Sequence, residues 1–112
     1  MAITSAAITT TAASVYTSTG SNAITCIIVC NLFTFAASNP ALNTTNFYLY
    51  AVPGGGTPAD VNLIVNGLPI TAGETLSLDQ EKLVLETSDA IFAKSETGEP
   101  ANLVITVSTL AV

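Results

Sequence analysis

Short runs in which alternate residues are apolar recur along the chain, and clusters of Gly, Pro, Asn and Ser separate them. A two-residue period is the mark of β-strands, whose side chains point to opposite faces in turn. The clearest run is Asn46–Val52. Phe47, Leu49 and Ala51 share one side, and Tyr48, Tyr50 and Val52 share the other. Both sides are apolar, which predicts a central strand with cover on each face. Pro53 then removes a ladder donor and Gly54–Gly56 permit positive φ, so the chain must turn there.

Ala23–Leu32 is the most strongly β-forming segment. Strict alternation puts Ile24, Cys26, Ile28, Cys30 and Leu32 on one face and Ala23, Thr25, Ile27 and Val29 on the other. Asn102–Val112 reads as a long terminal strand with Leu103, Ile105 and Val107 on one side. Shorter strands are predicted at Ser14–Ser18, Val61–Val65, Leu68–Ile70, Thr75–Leu78, Leu83–Leu85 and Ala90–Lys94. Gly20–Asn22 and Ser38–Thr45 read as a turn and a loop, and Asn66-Gly67 as a hairpin turn. Pro69 assigns its strand to a sheet edge. A helix over Ala6–Val15 is opposed by five β-branched residues in that span. The expectation is all-β: an antiparallel β-sandwich, jelly-roll-like, with eight or nine short strands. Residues 14–112 form its single domain. Residues 1–13 precede it as an extended arm or edge strand, lying on a neighbouring subunit or frayed.

Composition sharpens this picture. Hydrophobic residues make up 49% of the 112 and charged residues only 9%, so much of the surface must be Ala, Thr, Ser and Asn. Such a surface lacks the charges that usually oppose self-association, and it points to a life against other protein surfaces. Every charged side chain lies at or after Asp60, which predicts an uncharged surface and an acidic rim. Net charge is −6, with two lysines, no arginine and no histidine. Nucleic acid and anionic membrane are therefore not expected partners. The most apolar stretch, Ala23–Ala37, is too short and interrupted to span a membrane. The first residues lack the features of a signal peptide, so the Asn43-Thr44-Thr45 sequon reads as chance.

Candidate chemistry is sparse. Cys26 and Cys30 sit about 13 Å apart along a strand, too far for a disulfide, and are expected to be free thiols buried in the core. No His is present to complete a metal site or to activate a serine. Asp79 with Glu81, and Glu96 with Glu99, are the possible carboxylate pairs, and both read as surface turns. Asp79, Glu81 and Asp89 lack the spacing of a calcium loop. Gly54–Gly56 is followed by Thr-Pro rather than by Lys and a helix, so it is no phosphate cradle. Tyr16, Tyr48 and Tyr50 are aromatic core or interface residues, or else a sugar platform. Catalytic, cofactor-binding and metal-binding residues are expected to be none, and the chain is expected not to be an enzyme.

Four segments carry a family likeness: Val15–Thr25, Asn46–Gly56, Leu68–Thr75 and Leu83–Ile91. In order they present a strand and turn, a strand ending in Pro-Gly-Gly-Gly, a Leu-Pro-Ile-Thr-Ala-Gly-Glu-Thr corner and a Leu-Val-Leu-Glu-Thr-Ser-Asp-Ala-Ile hairpin. Together they resemble the small all-β virion proteins of tailed bacteriophages, including those of cyanobacterial phages. The resemblance spans Val15–Ile91 with gaps. It implies a structural protein of the virion, assembled in the host cytoplasm. The leading role is a capsid decoration (cement) protein that stabilises the head by bridging major capsid subunits. The alternative is a neck, tail accessory or fibre protein that binds a receptor or glycan through Tyr16, Tyr48, Tyr50 and Gly54–Gly56. The expected partners are the chain itself, as a homotrimer, and the major capsid protein or other virion proteins. Ala2–Ala13 and Ala23–Leu32 are the expected contact surfaces. Asp79–Lys82 and Ser95–Pro100 are expected to face solvent.

Overall fold

The computed structural model describes residues 2–33, 44–78, 83–96 and 102–112. They form nine strands: β1 (Ala2–Ala7), β2 (Ala13–Thr17), β3 (Asn22–Asn31), β4 (Thr44–Val52), β5 (Leu63–Thr71), β6 (Thr75–Leu78), β7 (Leu83–Leu85), β8 (Ala90–Ser95) and β9 (Leu103–Ala111). A 3-10 turn, Asp60–Asn62, leads into β5.

Two antiparallel sheets pack face to face. The first runs β1-β9-β3-β6, with β7 beside β6 on the same edge of β3, and the second runs β2-β8-β4-β5. The pairings nest. β4 pairs β5, β3 pairs β6 and β7, β2 pairs β8, and β1 pairs β9. The chain is thus one long hairpin, rolled up so that successive strand pairs fall in alternate sheets. The β3–β9 and β4–β8 ladders close the roll. This is a jelly-roll strand order, and the all-β sandwich expected from the alternation is the fold observed.

The core lies between the sheets. Ile24, Ile27, Val29, Ile105 and Val107 face Phe47, Leu49, Ile91 and Ala93 across it. Beta4 is central, between β5 and β8, as its two apolar faces predict. Its inward residues Phe47 and Leu49 are fully buried, and so, nearly, are Tyr50 and Val52 on the other side. Beta1 is the outer strand of the first sheet, paired with β9 from Ala2↔Thr109 to Ala7↔Val104.

Two local readings are corrected by bulges. In β3 the register against β9 shifts between Ile24 and Cys26. Thr25 is the extra residue, and its hydroxyl bonds to Ser108, 2.9 Å from Oγ and 3.1 Å from the carbonyl oxygen. One inserted residue exchanges the two faces. Ile24 is buried before the bulge, but Ile27, Val29 and Asn31 are buried after it, while Cys26, Ile28 and Cys30 turn outward. The cysteines are therefore free thiols at half-buried positions on the outer face, not in the core.

The second correction concerns Asn66-Gly67, which is no hairpin turn. It lies inside the continuous strand β5, where Phe47 pairs Leu68 and Tyr48 pairs Asn66. Gly67 is the unpaired residue between them, at φ 70°. A positive-φ glycine serves a bulge as well as a tight turn. The Tyr48 ring lies against the position a Gly67 side chain would take, so tertiary packing selects the bulge. Pro69 does sit on an edge strand, as expected.

Candidate functional site

No strand of the first sheet contains a charged residue. Its outer face is assembled by register into rows. One row joins Ala7, Val104, Cys30 and Thr75. The next joins Ser5, Thr106, Ile28 and Ser77, and a third joins Ile3, Ser108 and Cys26. Leu110, Ala23 and Val84 form the last. The hydroxyl and thiol groups bond among themselves: Ser5 Oγ is 3.3 Å from Thr106 Oγ1, and Cys26 Sγ is 3.7 Å from Ser77 Oγ. Ile3, Ile28, Val84 and Leu110 stand exposed on this face, Ile3 at 72%. The result is an open sheet surface of methyl, hydroxyl and thiol groups.

Charge is placed elsewhere. Lys94 in β8 is the one charged strand residue among those described. The described carboxylates, Asp60, Glu74, Glu86, Asp89 and Glu96, all lie outside the strands, at their ends or in the connections. The uncharged surface and acidic rim read from the sequence thus correspond to a sheet face and the loops at the ends of the sandwich. Asp79, Glu81, Lys82 and Glu99 lie outside the described residues, as does Asn43 of the sequon.

The three tyrosines do not share a platform. Tyr50 is buried. Tyr16 pairs Ile91 and packs against the core. Tyr48 points to the outer side of the second sheet, where its hydroxyl donates to the Glu96 carboxylate and the Lys94 ammonium lies 4.9 Å from its ring centroid. A cation over a ring face at this distance is attracted by the ring quadrupole.

Gly54–Gly56 is tied down rather than presented. The Gly54 N–H donates to Asp89 Oδ1 at 2.7 Å, and Gly55 N–H donates to the Ser88 carbonyl at 2.9 Å. The other oxygen of Asp89 accepts the Glu86 N–H at 2.9 Å. The Gly54 bond above all, with the Glu86 bond, holds the Asp89 carboxyl below its ordinary pKa, against a smaller opposing effect of burial. The carboxylate is therefore a structural clasp between the β4–β5 and β7–β8 connections. Beside it lies an open cleft of about 200 Å³ lined by Ala51, Val52, Pro53 and Leu83–Leu85. Among the described residues that line it, Asp89 is the one ionisable group.

No family model matches the chain, and searches of curated proteins and of solved structures return no significant match.

Strict alternation places Cys26, Ile28 and Cys30 on the same side of β3 as Ile24, whereas the structure turns all three outward. The missing signal was Thr25, whose hydroxyl permits the bulge. Only the partner Ser108, 83 positions away, shows that it forms.

Proposed function

We propose that the protein is a structural subunit of a bacteriophage particle, and within that class a capsid decoration protein that bridges neighbouring coat subunits. A jelly roll alone selects no role, since the fold serves capsids, lectins and cupins alike. The observation that carries the reading is the uncharged outer face of the first sheet, set against acidic loops at the ends of the sandwich. The motif resemblance supplies the virion context.

The face spans four strand positions about 4.8 Å apart and strands up to about 30 Å long. Covering it removes about 600 Å² from each partner, near the lower bound of a specific interface. Apolar burial at about 25 cal/mol per Å² offsets the cost of association only in part. Repetition over a lattice turns such modest contacts into lasting attachment. Binding of this kind needs no catalytic group, and the proposed role is non-enzymatic.

The test is antibody labelling of purified particles produced from the genome that encodes the chain, with mass spectrometry of the same particles. Label over the head surface is the expected result. Label confined to the neck or tail moves the subunit to an accessory position. Absence of the chain from the particles overturns the virion reading.

A further inference from the structure

A sheet edge exposes a row of unpaired N–H and C=O groups, and proteins ordinarily blunt such edges. Three of the four edges here are blunted. Beta5 carries Pro69, the Gly67 bulge and a second register shift. Beta2 has a bulge between Ser14 and Tyr16. The edge opposite β1 is broken into β6 and β7, and the sequence joining them is Asp79-Gln-Glu-Lys82. Beta1 has none of these devices. Its six residues, Ala-Ile-Thr-Ser-Ala-Ala, hold their register against β9 without interruption, with no proline, glycine or charge.

The direction of its free groups follows from one bond. The Ile8 N–H donates to the Leu103 carbonyl at 2.9 Å, continuing the β1–β9 ladder. In an antiparallel ladder, bonding alternates along the strand. Ala2, Thr4 and Ala6 therefore bond toward β9, while the N–H and C=O groups of Ile3, Ser5 and Ala7 point away from it. Among the described residues no strand pairs that side.

We propose that this edge pairs with the β1 edge of a second copy of the chain, antiparallel about a two-fold axis near Ser5. Ser5 then meets its counterpart, and Ile3 meets Ala7 in each direction, closing about six backbone hydrogen bonds. The two first sheets join into one continuous sheet, and their uncharged outer faces become one surface. Charge favours a second copy at this place. Each chain carries −6, yet neither β1 nor β9 beside it holds a charged residue, so no like charges lie on the strands that meet. With the other edges blunted, like pairs with like, and assemblies are even-numbered. This departs from the trimer that the family resemblance implies. The inference rests on the reading of the chain as a self-associating subunit, and not on the particle it joins.

The experiment is native mass by sedimentation, from micromolar to high micromolar concentration, for the full chain and for Ser5→Pro and Ile28→Lys. The Ser5 N–H points outward, so proline there removes no bond to β9 but blocks strand addition. Ile28→Lys instead charges the centre of the sheet face. The expected result is a dimer, or a multiple of it, for wild type and Ile28→Lys, and a monomer for Ser5→Pro with an unchanged β-type circular dichroism spectrum. A monomeric wild type, a trimer, or a dimer that survives Ser5→Pro but is lost in Ile28→Lys overturns the edge pairing. The last outcome leaves the face as the contact surface, so the two ideas fail separately. Should Ser5→Pro not fold, amide exchange of wild type decides. Slowed exchange at Ile3, Ser5 and Ala7 that is lost on dilution is expected, and fast exchange at all concentrations overturns the proposal.

Discussion

Asn31, at the end of β3, donates from Nδ2 to the Ile70 carbonyl of β5 at 2.8 Å, linking one sheet to the other through a side chain that is 1% exposed. Its Oδ1 accepts the Phe33 N–H at 2.9 Å, so both ends of the carboxamide are used. Asn31→Leu keeps much of the volume but removes the side-chain bond to the Ile70 carbonyl and the acceptor of the Phe33 N–H. Such loss costs about 1–3 kcal/mol. Urea unfolding is expected to show the midpoint falling by a corresponding amount with the slope unchanged.

Beyond the β3 bulge, two adjacent isoleucines face opposite sides of the sheet. Ile27 is 3% exposed and Ile28 39%. Ile27→Ala empties core volume and is expected to cost about 2–5 kcal/mol. Ile28→Ala is expected to cost well under about 1 kcal/mol in a monomeric chain. Paired denaturation curves check this, and equal costs would mean that the two residues do not differ in burial.

Asp89 gives the fold a signed dependence on pH. Its folded pKa is depressed by the Gly54 and Glu86 amides. Its contribution is therefore complete above the unfolded carboxyl value of about 4 and is lost as pH falls through the lower folded value. Stability of the wild type is expected to drop on acidification below about pH 4, and Asp89→Asn to be less stable at neutral pH with a shallower acid drop. Urea midpoints from neutral to acid pH measure both, and parallel curves for the two proteins would contradict the clasp.

Gly67 is constrained twice. At φ 70° a side chain is strained, and an added Cβ meets the Tyr48 hydroxyl oxygen at 3.3 Å. Gly67→Ala is expected to cost about 1–2 kcal/mol from backbone conformation alone, and more through displacement of Tyr48 from Glu96. Gly54→Ala has positive φ but open space around it, so it is expected to cost only the backbone part. Thermal unfolding of the two variants separates the contributions.

Much of the fold was legible from side-chain alternation alone. Leu103, Ile105 and Val107 in β9 and Phe47 and Leu49 in β4 face the core as their spacing requires. What alternation cannot carry is an interruption in its own count. Thr25 and Gly67 each add one residue to a strand, and every assignment downstream of Thr25 changes sides. The tyrosines illustrate a second limit. Nothing in their spacing says that Tyr16 packs against the core while Tyr48 turns outward to Glu96 and Lys94.

The sequence by itself determined the class of structure and the nature of the surface. Two-residue periodicity, β-branched content and closely spaced turns admit only strands, and so few charges leave large areas that no ion can hydrate. Only the tertiary structure decided which areas those are. The pairing of β3 with β9 and the nesting of strand pairs into a roll bring residues from both ends of the chain into one sheet. Contacts between residues so far apart depend on register, and register is fixed by the whole closed roll rather than by any segment within it.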